Sequence, residues 1–217
     1  MYKTVVFDLD GTLLNTLTDL ADAGNRLCRK YGWPTHERQA YRYFVGNGIP
    51  KLVERLAPAD QRTPAVLEAA LADFKRDYGQ HLRDTTAPYP GIPEMLAKLK
   101  ANGVQLAVFS NKADALAKEV VKDYFGTQYF TIVRGQMTGV APKPAAEGTN
   151  ALLQALHADP ASTLYVGDSN VDVYTGHNGG LTVCGVTWGF RGRQELEAAG
   201  ADHLADTPEA LGDYILA

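Results

Sequence analysis

Near its start the chain reads TVVFDLDGT over residues 4–12. The first four residues are apolar or β-branched and predict a short buried strand. Asp8 and Asp10 follow directly. Ligands in open α/β sheets bind beyond the carboxyl ends of strands, so both carboxylates are predicted to face one crevice. Gly11 permits a tight turn after them. The competing interpretation is a plain polar turn, because Asp-Gly pairs are common in turns.

Four more short apolar runs occupy residues 104–109, 130–133, 163–166 and 182–186. All are rich in β-branched residues and predict buried strands, with helical patterns between them. Continuous apolar strands that alternate with helices indicate a parallel sheet covered on both faces. The predicted fold class is therefore α/β, with a Rossmann-like parallel sheet in the core domain.

This alternation is interrupted between residues 14 and 89, where only helical patterns occur. The clearest pattern predicts a helix over residues 64–82, with apolar side chains at helical spacing. Thr63 can cap this helix, and Pro64 suits its first turn.

The interruption predicts a small all-helical cap domain over residues 15–89, inserted after the first strand. Residues 1–14 and 90–217 would form the core domain. The segment 83–91 contains two prolines and a glycine and is the predicted return linker.

Two more strand ends carry polar residues. Ser110 and Asn111 precede a helical pattern that stops at Gly126. An N-cap is the simpler interpretation of Ser110, and phosphate binding by its hydroxyl and nearby N–H groups is the functional one. Lys143 precedes a helix predicted near residues 145–157. Pro144 fits the first turn of that helix, which would place the ammonium group where it can neutralise an anion.

A last pair of acids completes the pattern. Asp168 follows the fourth predicted strand, and Asp172 lies one helical turn further on. Alone, they fit an N-cap with an ordinary acidic first turn. Together with Asp8 and Asp10 they bring four negative charges to one edge of the sheet, against one positive charge from Lys143. Such a cluster requires a cation or takes up protons, and oxygen ligands beside a phosphoryl group favour Mg²⁺.

Composition limits the remaining classes of function. Of 217 residues, 45% are hydrophobic and 21% charged, and the formal net charge is −4. Disorder is not expected, and such a chain has no general attraction for nucleic acid or an anionic membrane. The two cysteines, Cys28 and Cys184, and the five histidines lack metal-ligand spacing. With no signal-peptide pattern, we expect a reduced cytoplasmic protein.

At these residues the chain resembles the phosphatases of the haloacid dehalogenase superfamily over nearly its whole length. The four motifs of that family occur in order at residues 8–12, Ser110, Lys143, and Asp168 with Asp172. The helical insertion resembles the cap of one branch. Within it, VGNG over residues 45–48 and LVER over residues 52–55 resemble the cap of phosphoglycolate phosphatases.

The resemblance implies a catalytic role for each of four residues. Asp8 would attack phosphorus and form an aspartyl-phosphate. Asp10 would protonate the leaving oxygen and then activate water. Ser110 and Lys143 would hold the transferring oxygens and offset their charge.

The resemblance also implies binding residues. The metal site comprises Asp8, Asp10, Asp168 and Asp172. Asp10 would bind Mg²⁺ through its backbone carbonyl, and Asp172 would position Lys143 or a water molecule rather than act as a primary ligand. The expected substrate-binding residues are Thr12 and Asn111 in the core domain and Asn47 and Gly48 in the cap. A plain turn before an amphipathic helix is the competing interpretation of Asn47 and Gly48.

The expected activity is Mg²⁺-dependent hydrolysis of a small phosphomonoester. 2-Phosphoglycolate is the first candidate, ahead of pyrophosphate and sugar phosphates, and a phosphomutase on the same scaffold stays open. A signalling receiver would lack Asp10 and the helical insertion, and a silent binding protein would lack a motif residue. The expected partner is a small phosphorylated metabolite, and the protein is a monomer or homodimer. Residues 188–193 either line the site or form an ordinary loop.

Overall fold

The computed structural model describes every residue from Met1 to Ala217. The chain divides into two compact units. We call Met1–Asn15 together with Pro88–Ala217 the core unit, and Thr16–Ala87 the helical unit. The helical unit is therefore one continuous insertion between the first strand and the rest of the core unit.

Most of the core unit is built on a parallel sheet. The whole chain contains eight strands: β1 (Thr4–Phe7), β2 (Leu14–Asn15), β3 (Ala87–Pro88), β4 (Gln105–Ala113), β5 (Phe130–Gln136), β6 (Thr163–Gly167), β7 (Thr182–Val186) and β8 (His203–Ala205). Six of them form one sheet in the order β5-β4-β1-β6-β7-β8, with every neighbouring pair parallel. β2 and β3 pair separately, where the chain leaves the core unit and returns to it. The predicted α/β class with a parallel sheet is confirmed.

Ten α-helices accompany the strands. The helical unit contains α1 (Leu17–Tyr31), α2 (Arg38–Phe44), α3 (Ile49–Leu56) and α4 (Pro64–Gln80). The core unit contains α5 (Ile92–Ala101), α6 (Asp114–Phe125), α7 (Ala146–Leu156), α8 (Asn170–Asn178), α9 (Arg193–Ala199) and α10 (Pro208–Leu216). None of these helices combines the length and the apolar character that a membrane-spanning segment needs.

Large apolar side chains fill most of the interior of the sheet. Val6, Ala107, Tyr165 and Val183 come from the four internal strands and are 0% exposed. This burial explains why those strands read as unbroken apolar runs rather than as alternating ones. β5 is different, because it lies at the edge of the sheet and most of its residues are half-exposed. Residues 130–133 therefore form a strand, as predicted, but the prediction that this strand is buried is wrong.

The opposite edge of the sheet was not predicted from the sequence. β8 (His203–Ala205) has three residues and pairs only with β7. A run this short carries too few apolar residues to stand out as a strand. Its place in the sheet depends on the pairing with β7, which the sequence pattern alone does not report.

In the helical unit, the longest helix agrees closely with its prediction. α4 begins at Pro64, and the hydroxyl oxygen of Thr63 accepts a hydrogen bond from the backbone N–H of Val66. Phe74 and Tyr78 are buried on its apolar face. The helix ends at Gln80, two residues before the predicted end.

Hydrogen bonds to a single carboxylate hold the exit from the helical unit. Asp19 lies in the first turn of α1 and is buried. Its Oδ1 accepts hydrogen bonds from the backbone N–H and the hydroxyl of Thr85, at 2.9 and 2.5 Å. Its Oδ2 accepts hydrogen bonds from the backbone N–H and the hydroxyl of Thr86, at 2.9 and 2.7 Å. The residues that lead out of this unit are thus fixed to the helix that begins it.

Candidate active site

Three neighbouring strands end at the candidate site. β4, β1 and β6 lie side by side, with Phe7 in register with Val108 and with Val166. Parallel strands present their carboxyl ends at the same edge of a sheet, and this is where ligands of open α/β sheets bind. Asp8 after β1 and Asp168 after β6 therefore leave the sheet next to each other.

A buried lysine connects two of the acids. Lys143 Nζ lies 2.9 Å from Asp8 Oδ1 and 2.8 Å from Asp172 Oδ1. It also donates to the hydroxyl of Tyr165 at 3.0 Å and to the carbonyl of Phe109 at 3.2 Å. Burial lowers the pKa of Lys143, but Asp172 and Asp8 outweigh this effect and hold the pKa well above its usual value. The ammonium group therefore stays charged.

Both carboxylate oxygens of Asp172 have partners. Its Oδ2 accepts hydrogen bonds from the backbone N–H and the hydroxyl of Ser169, at 3.1 and 2.7 Å. Its Oδ1 contacts Lys143. Ser169, not Asp168, is the N-cap residue of α8, so interpreting Asp168 as an ordinary cap is wrong. The role of Asp172 in positioning Lys143 stays a prediction.

Asp168 is held by two donors from other parts of the chain. Its Oδ1 accepts a hydrogen bond from the Thr12 hydroxyl at 3.2 Å, and its Oδ2 accepts one from the Phe190 N–H at 2.7 Å. A Cβ atom at Gly11 or Gly189 would come within 3.0 Å of the Asp168 side chain. Gly11 also has a φ of +93°, a region that side chains with a Cβ rarely adopt. Only glycine fits at these two positions.

The carboxylates form a compact acidic cluster. One oxygen each from Asp8, Asp168 and Asp172 lies within 4.8 Å of the others. Burial raises the pKa of Asp8, Lys143 lowers it and Asp172 raises it again, so that the net shift is upward. Burial, Asp172 and Asp8 together raise the pKa of Asp168 well above its usual value. Without a further cation, this cluster would take up protons.

A second buried lysine was missed by the sequence analysis. Lys112 Nζ lies 3.1 Å from Asp10 Oδ1 and 3.2 Å from Asp10 Oδ2. The four aspartates carry four negative charges, and Lys112 and Lys143 carry two positive ones. The remaining charge of −2 is the charge that one divalent cation balances. The available signal was a lysine two residues after Ser110 at a strand end, but nothing in the pattern shows that it points to Asp10.

Ser110 lies at this edge but does not cap a helix. β4 continues to Ala113, and α6 begins only at Asp114, so the simpler N-cap interpretation is wrong. Ser110 is buried, and its hydroxyl oxygen accepts a hydrogen bond from the backbone N–H of Lys112 at 3.3 Å.

Asn111 fastens the backbone of Lys143. Its side-chain oxygen accepts a hydrogen bond from the Lys143 N–H at 2.9 Å, and its amide nitrogen donates to the Lys143 carbonyl at 3.3 Å. The prediction that Pro144 lies in the first helical turn is wrong, because α7 begins at Ala146. The peptide bond between Lys143 and Pro144 is cis. Asn111, rather than a helix end, therefore fixes the position of Lys143.

The loop after β7 belongs to the site. Besides the contact of Phe190 with Asp168, the indole N–H of Trp188 donates to the backbone carbonyl of Thr12 at 3.0 Å. These contacts show that residues 188–193 line the site and are not an ordinary loop. Thr12 and Asn111, predicted to bind substrate, have side chains that hold Asp168 and Lys143, and their contact with substrate stays a prediction.

The other two predicted substrate-binding residues, Asn47 and Gly48, lie in the helical unit. Arg55 Nη2 donates to the side-chain oxygen of Asn47 at 2.9 Å, and Arg55 Nη1 donates to the carbonyl of Phe44 at 2.7 Å. Gly48 has a φ of +82° and immediately precedes α3. Arg55 thus holds this loop by hydrogen bonds, and the role of the loop in substrate binding stays a prediction.

Comparison with known proteins gives consistent results. Residues 5–186 match a family model described as haloacid dehalogenase-like hydrolase. A phosphoglycolate phosphatase from Cupriavidus necator is 34% identical over 208 residues, which cover 95% of this chain and 90% of that protein. A phosphoglycolate phosphatase from Thiobacillus denitrificans is 32% identical, with 90% and 88% covered.

Solved structures share the fold over the whole chain. A crystal structure from Lactobacillus delbrueckii subsp. bulgaricus superposes with a TM-score of 0.92 at 29% identity, covering 99% of this chain and 98% of that one. A predicted phosphoglycolate phosphatase from Haemophilus somnus superposes with a TM-score of 0.89 at 26% identity, covering 98% and 97%.

Proposed function

Because the chain belongs to the haloacid dehalogenase-like hydrolase family, we propose that it hydrolyses 2-phosphoglycolate through an aspartyl-phosphate on Asp8, with Mg²⁺ as cofactor. The family resemblance predicted from the four motifs is confirmed, and the chain is a phosphoric monoester hydrolase of this family. The substrate, the covalent intermediate and the ion are the proposed parts.

One observation carries the proposal. The ammonium group of Lys143 touches the carboxylate of Asp8 at 2.9 Å, at the edge of the sheet where Asp168 also emerges. A carboxylate beside a fixed cation suits nucleophilic attack on phosphorus, because the cation also offsets the charge of the transferring oxygens. A buried pair without such a task has a large desolvation cost and little benefit.

The reaction then divides into two steps. A carboxylate oxygen of Asp8 attacks phosphorus, the bond from phosphorus to the ester oxygen breaks, and Asp10, protonated in the complex with substrate, gives its proton to that oxygen and is left ionised for the second step. Asp10 next removes a proton from water, whose oxygen attacks phosphorus and releases inorganic phosphate from Asp8. Ser110 and Lys143 would hold the phosphoryl oxygens through both steps.

The residues present fit a magnesium ion. The donors are carboxylate oxygens within 4.8 Å of one another, and the site has an excess charge of −2. Hard cations prefer such oxygen ligands. We assign the ion to the carboxylates of Asp8 and Asp168 and the backbone carbonyl of Asp10, while Asp172 holds Lys143. When bound, Mg²⁺ would offset the charge of a dianionic phosphate and allow it to approach.

The substrate assignment is supported by the relatives. The phosphoglycolate phosphatases from Cupriavidus necator and Thiobacillus denitrificans align over 90% and 88% of their own lengths. We propose that Thr12 and Asn111 support the phosphate site, while substrate binding by Asn47 and Gly48 stays a prediction. We further propose a cytoplasmic enzyme, since both cysteines are unpaired buried thiols, as a reducing compartment requires.

A substrate panel tests the proposal. Phosphate release is measured from 2-phosphoglycolate, glucose 6-phosphate, glucose 1-phosphate and pyrophosphate, with Mg²⁺ and after chelation. We expect the highest kcat/KM for 2-phosphoglycolate and loss of activity on chelation. A preference for another compound in the panel would contradict the substrate assignment. Conversion of glucose 1-phosphate to glucose 6-phosphate without phosphate release would identify a mutase instead.

A further inference from the structure

We propose that Lys112 is a positioning residue that fixes the carboxylate of Asp10 for proton transfer. The inference rests on the proposed role of Asp10 and adds a residue that lies in none of the four motifs. It follows from three features of the core unit: the two-point contact between these side chains, the burial of the lysine, and the geometry of the turn that carries Asp10.

The contact is made to both carboxylate oxygens. Lys112 Nζ lies 3.1 Å from Asp10 Oδ1 and 3.2 Å from Asp10 Oδ2. A single ammonium group that touches both oxygens restricts the rotation of the carboxylate about its last bond. The pair joins the turn after β1 to the end of β4, 102 residues apart in the sequence.

Burial makes the lysine the fixed member of the pair. The side chain of Lys112 is 2% exposed, whereas that of Asp10 is 20% exposed. A buried ammonium requires a nearby negative charge, so separating the two side chains would be costly. Lys112 lies in β4 between Phe109 and Ala113, where the pairing with β5 is irregular, and its backbone N–H donates a hydrogen bond to the hydroxyl of Ser110. The lysine therefore holds the aspartate, rather than the reverse.

The backbone of the turn is held independently of Lys112. The N–H groups of Gly11, Leu13 and Leu14 donate to the carbonyls of Leu14 and Leu9 within the turn. These bonds fix the Cα position of Asp10 but leave its side chain free to rotate. The contact with Lys112 supplies the missing constraint, and a general acid or base must lie within hydrogen-bond reach of the proton that it transfers.

The first experiment compares Lys112→Met with Lys112→Arg and with Lys118→Met as control. Lys118 makes an exposed ion pair with Asp114 and is 57% exposed. For Lys112→Met we expect kcat on 2-phosphoglycolate to fall about 10- to 100-fold, because small displacements of a reacting group cost up to ~10²-fold in rate. KM stays within about 2-fold, Lys112→Arg recovers part of the loss, and Lys118→Met matches the parent. An unchanged kcat with a raised KM would overturn the proposal, because Lys112 would then bind substrate.

The second measurement separates the two chemical steps. 4-Nitrophenyl phosphate has a leaving group that needs no proton, so the pre-steady-state burst of nitrophenolate reports attack by Asp8 alone. For Lys112→Met we expect a burst rate within about 3-fold of the parent and a reduced steady-state rate. A burst slowed as much as kcat on 2-phosphoglycolate would overturn the positioning role, because damage to the whole site would have the same effect on both steps.

A double-mutant cycle tests whether Lys112 acts through Asp10. In the Asp10→Asn background, Lys112→Met should change the residual rate less than about 2-fold, and equal losses in both backgrounds would overturn the inference. If Lys112→Met does not fold by circular dichroism, Lys112→Arg replaces it, with a smaller fall in kcat and again a change of less than about 2-fold in the Asp10→Asn background. An active Asp10→Asn variant would contradict the proposed function itself. An inactive Asp10→Asn beside a fully active Lys112→Met would contradict only this inference.

Discussion

Charged side chains have different surroundings in the two units. In the core unit, Lys112 and Lys143 are 2% exposed and each contacts an aspartate at the edge of the sheet. In the helical unit, Arg26 and Asp77 form an ion pair while 31% and 33% exposed. Removing an ion from water costs several kcal/mol, whereas a surface pair contributes little in either direction. The core unit therefore bears the cost of burying two ammonium groups, and these buried cations lie where the chemistry is proposed.

The largest expected effect is at the nucleophile. Asp8→Asn replaces the attacking carboxylate with a non-nucleophilic amide of similar shape, so phosphate release should fall to the background rate. The matched control is Asp206→Asn, which removes a carboxylate from an exposed ion pair of the core unit. Steady-state assays on both variants, with circular dichroism to confirm folding, make the comparison. Substantial turnover by Asp8→Asn would exclude the aspartyl-phosphate route.

The second effect contrasts a buried cation with a surface one. Lys143→Met removes the group that holds Asp8 and Asp172, so kcat should fall ~10²- to 10³-fold. The two aspartates lose their buried partner, and the free energy of unfolding should fall by about 3–5 kcal/mol. Arg26→Gln in the helical unit should lower it by at most about 1 kcal/mol. Urea unfolding measures the free energy of unfolding of both variants. Equal destabilisation by the two variants would remove the distinction between the units.

The third effect concerns the buried carboxylate of the helical unit. Burial raises the pKa of Asp19, but the hydrogen bonds from Thr85 and Thr86 outweigh it, and the pKa lies below its usual value. A carboxyl whose pKa is lower in the folded state stabilises the fold above its unfolded pKa. That contribution is lost as the pH falls through the folded pKa.

Asp19→Asn should therefore lower Tm at pH 7, with a loss of about 1–3 kcal/mol from the unsatisfied donors. The difference from the parent should shrink as the pH falls below about 4. Thermal unfolding between pH 2.5 and 7 measures this difference. A gap in Tm that is constant over that range would show that the ionised carboxylate contributes nothing.

The smallest effect is at the cysteines. Burial raises the pKa of Cys28 to about 11 and that of Cys184 to about 12. Only the thiolate reacts readily, so a thiol reagent at pH 7.5 should modify neither residue in the folded protein and both in denaturant. Mass spectrometry counts the modified residues. Rapid modification of either cysteine under native conditions would contradict its burial in the respective unit.

The sequence predicted the sheet well because internal strands are unbroken apolar runs. Residues 4–7 and 182–186 coincide with β1 and β7. The apolar run predicts that β4 ends at residue 109, whereas the strand continues to Ala113. The polar residues 110–112 read as the start of a loop, but they stay in the strand because the site satisfies their side chains.

The site was predictable where function depends on a residue's place at a strand end, as for Asp8 and Asp168. It was not predictable where function depends on a contact between distant segments. The contacts between distant segments are those of Lys112 with Asp10, of Tyr165 with Lys143, and of Phe190 with Asp168. Periodicity reports which face a residue occupies, but not which side chain meets it there.

The pairing of β2 with β3 has a consequence for how such a chain diversifies. Paired strands lie about 4.8 Å apart, so the two ends of the insertion meet almost at a point. A segment whose own termini are close together can be exchanged at such a junction without stretching the flanking strands. Evolution, or a protein engineer, could therefore replace the block between Asn15 and Pro88 by another of different length while the parallel sheet folds unchanged.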